Sequence, residues 1–164
     1  MSIGPLNLSD ADLSGFEPLN PGRYNAEVFE ITMDATKRDG KVPMGTRMMK
    51  IQFKLMDESV INRRVWTQYV IPPEDHPKEK REKMNGMIVR FFIAVGDPEE
   101  TVRSGSFDPD FEDYKGRPCV VIVGKEPKKD QNGNIIEGEF NNPVKGVKAA
   151  GSIVTTGGDD GGLL

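Results

Sequence analysis

Between Met49 and Leu55 every second residue is large and apolar: Met49, Ile51, Phe53 and Leu55 alternate with Lys50, Gln52 and Lys54. A period of two belongs to a β-strand with one buried and one wet face, and no helix keeps those four side chains together. The strand, read from Thr46 to Met56 with Met48 on its polar side, needs partners, because a single strand cannot cover its own apolar face. A chain with this segment at its centre is built around a sheet.

The flanking sequence supplies the partners. In Tyr24-Asn25-Ala26-Glu27-Val28 the apolar residues alternate, and then the phase flips so that Phe29, Ile31 and Met33 take the apolar positions. A flip inside one strand predicts a bulge. Thr36 to Lys41 reads as a turn in which Asp39-Gly40 supplies positive φ. A third strand, Arg64 to Ile71, sets Val65, Thr67, Tyr69 and Ile71 against Arg64, Trp66, Gln68 and Val70, and Pro72-Pro73 ends it. A helix follows, with Asp75 in its N-cap region, Pro77 in its first turn, an apolar stripe of Met84, Met87, Ile88, Phe91 and Val95, and Gly96 as its stop. Lys78 to Lys83 mixes charges at helical spacing and reads as a solvated face. Asp97 to Lys115 is an acidic connection with one short helical turn. Pro118 to Gly124 is a buried strand, Asn132-Gly133 a hairpin turn, and Ile135 to Val147 the returning strand, weakened by Pro143.

The predicted fold is mainly β: a five-stranded barrel of the oligonucleotide/oligosaccharide-binding (OB) type with one helix between strands 3 and 4. The domain spans residues 22–148, after an irregular arm (1–21) and before a flexible, glycine-rich tail (149–164). OB barrels bind on the strand 2–3 face and with the loops joining strands 1–2 and 4–5. Here the first loop carries Lys37, Arg38 and Lys41, and the second carries Lys125, Lys128 and Lys129. With Ile51 and Phe53 turned inward, Lys50, Lys54, Arg64 and Trp66 point outward together, with Arg47 at the start of the same strand. Single-strand binders combine a basic groove with aromatic platforms for bases. Trp66 is the first candidate platform, and a slip of one residue would expose Tyr69 instead. Phe29, where strand 1 changes face, is the third.

Charge and composition agree once distribution is considered. The net charge is −4, but residues 22–95 hold 14 bases against 10 acids. A polyanion meets the local surface, not the total. The one cysteine, Cys119, excludes an internal disulfide, and with His76 as the one histidine it excludes a Cys/His zinc site. A reduced thiol, no secretory signal over Met1–Asp12 and no run of about 20 apolar residues lead us to expect a cytoplasmic protein off the membrane. There is no Gly-Lys-Ser/Thr phosphate loop, and Asp108, Asp110, Glu112 and Asp113 lack the spacing of a calcium loop. Neither a cofactor nor a metal nor an enzymatic reaction is expected.

The core from Gly22 to Val147 resembles OB-type single-stranded-DNA-binding proteins encoded by phages. The resemblance rests on Pro21-Gly22-Arg23-Tyr24, the basic first loop, Asn62-Arg63-Arg64-Val65-Trp66, Phe91-Phe92-Ile93-Ala94-Val95-Gly96 and Lys115-Gly116-Arg117-Pro118. It implies protection of single strands in replication, recombination or repair, in the host cytoplasm, and leaves room for an oligomer. Such proteins often end in an acidic tail with an apolar tip that recruits replication partners. Asp159, Asp160, Leu163 and Leu164 look like a reduced version. The competing expectation is a non-enzymatic β-barrel that binds proteins, such as a phage structural or adaptor module.

Overall fold

The alternation places Met49, Ile51, Phe53 and Leu55 in the core, the last three fully enclosed. The computed structural model of the chain describes residues 3–9 and 17–151, so Asp159, Asp160, Leu163 and Leu164 lie outside the described residues. Its elements run β1 (Gly22–Ala35), β2 (Arg47–Leu55), β3 (Arg64–Val70), α1 (Lys78–Ala94), α2 (Glu99–Val102), β4 (Pro118–Val123), β5 (Glu126–Lys129), β6 (Ile135–Asn141) and β7 (Val144–Ala149). Five strands form an antiparallel sheet in the order β3-β2-β1-β4-β7, and β5 and β6 form a separate two-stranded arm. No ladder joins β3 to β7 among the described residues, so the sheet is open. None of the described helices is long and apolar enough to cross a membrane.

The phase flip in β1 is a bulge. Val28 pairs with Phe53 and Glu30 with Gln52, leaving Phe29 as the extra residue. The bulge is held from behind: the Val28 N–H donates to the Arg117 carbonyl at 2.9 Å, and the Gly116 N–H donates to the Val28 carbonyl at 2.8 Å. Phe29 therefore leaves the inward set in which Ile31 sits and faces solvent. The expected Asp39-Gly40 turn is formed elsewhere. Positive φ falls at Gly45 (87°), while the Asp39 carboxylate accepts the Met44 N–H at 2.8 Å.

The helix differs from expectation at its N-cap and within its stripe. Asp75 does not cap it. Pro77 takes the N-cap position, and Arg81 reaches back to the Glu74 and His76 carbonyls at 2.6 and 3.2 Å. Met87 is exposed, because only the C-terminal turns of α1 reach the core, through Phe91, Phe92 and Val95. There α1 packs against both β3 and β7. Phe91 meets Phe53 edge-on at 6.3 Å and Tyr69 at 6.0 Å. Gly96, at φ 109°, ends the helix as expected. The acidic connection contains two turns rather than one, α2 and a 3₁₀ turn over Phe111–Tyr114. It also lends aromatic residues to the core: Phe107 and Tyr114 pack edge-on against Phe92 at 4.9 and 5.3 Å.

The returning strand is split in two. Ile135–Asn141 pairs with β5, and Val144–Ala149 pairs with β4. Pro143 causes the break, since it has no N–H to give a ladder. The hairpin signal holds: Gly133 has φ 83°, and the Asp130 carboxylate accepts the Asn132 and Asn134 N–H groups at 2.8 and 3.0 Å. Lys128 and Lys129 thus sit on a strand of the arm rather than on a loop between two sheet strands.

Candidate nucleic-acid interface

The strand 3 register leaves one aromatic outside. Gln52 pairs with Trp66 and Met49 with Tyr69, so Trp66 shares the outward face of Lys50, Gln52 and Lys54. Trp66 is 66% exposed, unusual for a large apolar ring. Tyr69 turns inward against Phe91, and burial pushes its phenol up to about 12. Tyr69 is therefore part of the core and not a surface for stacking.

Trp66 stands between two hollows. The larger, about 610 Å³, lies between β3 and the β6–β7 segment and is lined by Arg63 to Gln68, Lys128, Phe140 to Val144, and Leu19. Among the described residues its lining carries three bases and two aromatics but no carboxylate, in a chain with 26 acids. The smaller, about 280 Å³, lies over β1 and β2 and adds Glu30, Thr32, Lys50 and Gln52. On either side of Trp66 a second aromatic holds a cation over its ring. The Arg64 guanidinium lies 3.5 Å from the centre of Phe29, and the Lys125 ammonium 4.6 Å from that of Phe140. Both rings are more than a third exposed, so these are surface cation–π pairs.

The remaining predicted cations divide into two groups. Lys50 and Lys54 face outward as expected but are paired across the ladder with β1 carboxylates, Asp34 at 2.9 Å and Glu27 at 3.1 Å. The hydrogen bond from Lys50, followed by that from the Ala35 N–H, holds the Asp34 carboxyl below its usual range. The β1–β2 face is consequently much closer to neutral than β2 alone suggests. Lys37, Arg38, Lys41 and Arg47 are exposed at the far end of β1 and β2 and line neither hollow. Lys129 is exposed on β5 and also lines neither. The concentration of positive charge lies instead at Arg63, Arg64 and Lys128, beside Lys125.

Sequence reasoning missed Phe140, Arg63 and Asn142. Phe140 did leave a signal. It is the one aromatic in the polar run from Glu137 to Asn142, and a lone aromatic there has no core to join. Asn142 follows from topology alone, since it bonds to Leu19, far away in the chain.

No match is found among curated proteins. Residues 6–154 match the family described as "Protein of unknown function (DUF669)". The match covers most of the 164 residues and every element of the fold, and the chain belongs to this family.

Proposed function

We propose that this protein binds single-stranded DNA with little sequence preference, protecting it during replication, recombination or repair. The carrying observation is the cleft of Arg63, Arg64, Lys128, Trp66 and Phe140, which no carboxylate lines among the described residues. Cations at its walls take the phosphates, and the exposed indole offers a face to any base, which gives affinity without sequence readout. The strand order and the open seam between β3 and β7 suit a partly open OB-type barrel, whose ligand lies across strands 2 and 3. The cations and aromatic faces of the described lining suit binding rather than catalysis, and the reading is a binding protein.

The test is competition. A labelled mixed-sequence strand bound at low salt is challenged with unlabelled strands of other sequences and with duplex of equal mass. Displacement by every single strand but poorly by duplex is expected. A protein that binds no strand at low salt removes the proposal.

A further inference from the structure

The β5–β6 arm is rooted by one side chain. Asn142, where β6 gives way to β7, accepts the Leu19 N–H at 2.8 Å and donates to the Leu19 carbonyl at 3.0 Å and the Gly124 carbonyl at 2.9 Å. It thereby ties together the segment before β1 and both legs of the arm. Its surroundings reinforce the clasp. Leu19 is buried in the core, and the Gly124 N–H donates to the Pro143 carbonyl at 2.8 Å. Lys145 ion-pairs with Glu126 across the root. A side chain at Gly124 would meet Lys145 at 2.9 Å, so the root tolerates only glycine without displacing that lysine. Beyond the root, β5 is exposed along its whole length, and β6 nearly so. Such an arm has little burial of its own to fix its angle.

We infer that Asn142 is a positioning residue that sets the arm against β3 and gives the cleft its preference for single strands over duplex. This rests on the binding function proposed above. Asn142 borders the cleft, and its three bonds all go to backbone groups. It holds Lys128 and Phe140 as the wall facing Trp66. A strand entering that cleft presents bases to the indole, which a duplex, with its bases stacked inside, cannot do. When the clasp is broken, the arm's lysines no longer stand over a strand held at the indole, and their phosphate contacts are lost. Affinity for single strands falls, and the gap between strand and duplex narrows.

The experiment is a double-mutant cycle on the full chain. Asn142→Ala removes all three bonds, and Asn142→Asp keeps the bond from Leu19 N–H but loses both donations. Each is combined with charge removal at Lys125, Lys128 and Lys129. If Lys125 and Lys128, the two arm lysines at the cleft, each neutralise one phosphate, Asn142→Ala lowers the salt slope of strand binding by up to about 1.4. In that background the lysine substitutions then add little, because both changes remove the same contact. Hydrogen exchange in β5 and β6 rises in both variants without ligand, while that of β2 stays slow. Should Asn142→Ala fail to fold, Asn142→Asp carries the same comparison. Losses that simply add, a strand-to-duplex ratio that does not move, or unchanged exchange in the arm overturns the role of Asn142. A wild-type protein that binds no strand overturns the function instead, and the exchange result still reports on the clasp.

Discussion

Replacing Trp66 with alanine separates stacking from packing. Trp66 is 66% exposed, so about a third of the 150–250 Å² that an aromatic side chain can bury is at stake, roughly 50–80 Å². At about 25 cal/mol/Å² that is about 1–2 kcal/mol of folding stability. Phe53, fully buried against Phe91, provides the contrast. Phe53→Ala is expected to cost about 3–5 kcal/mol, since transfer and cavity terms add. Binding should show the reverse order. Trp66→Ala is expected to lose about 1–3 kcal/mol of strand affinity, roughly 5- to 150-fold. Phe53→Ala, assayed where it is folded, should bind almost normally. Urea unfolding with a constant slope gives the stabilities, and anisotropy of a labelled oligonucleotide gives the affinities. A Trp66→Ala protein as unstable as Phe53→Ala, or one that binds DNA like wild type, refutes the reasoning.

Two further outcomes follow from the charges and the tyrosines. Arg64→Gln should reduce the salt slope of binding by about 0.7, whereas Lys50→Gln and Lys54→Gln should change it much less, because Asp34 and Glu27 already pair with these lysines; equal slopes for all three would contradict this. Burial raises the phenols of Tyr24, Tyr69 (to about 12) and Tyr114, so the folded protein should ionise its phenols at higher pH than the unfolded chain. Below pH 10 the phenols are neutral in both states and the full stability is present. Above it the unfolded chain releases protons that the folded one retains, so stability falls progressively as the pH rises toward 12. A tyrosine that titrates normally while the fold persists would show that one of these rings is exposed.

The segments whose identity depends on local period were legible in the sequence. β2, β3 and the β1 bulge follow from alternation, since a pleated strand with one wet face leaves no other arrangement for Ile51, Phe53 and Val65. In the candidate site the exposure of Trp66 was legible, but the state of its cations was not. Lys50 and Lys54 read as free until the cross-strand register brings Asp34 and Glu27 beside them, and register is a tertiary fact. The same limit hid the aromatic contribution of the acidic connection, where Phe107 and Tyr114 are too widely spaced to show a period yet meet on Phe92. Pro143 was recognised as a weak point in a strand. That it divides the strand between two sheets depends on Asn142 finding Leu19, a contact between residues remote in the chain.

The most direct test of the central claim uses the single tryptophan as its own probe. Mixed-sequence single-stranded DNA, duplex and RNA are each titrated while Trp66 emission is followed over a range of salt. Single-stranded DNA should quench the emission, and log affinity should fall linearly with log salt with a slope of about 2–3, for the three or four cations at the cleft. Affinity should accordingly drop roughly 15- to 60-fold between 50 and 200 mM salt. Emission that no nucleic acid changes, or binding indifferent to salt, would contradict the account and favour a protein-binding module.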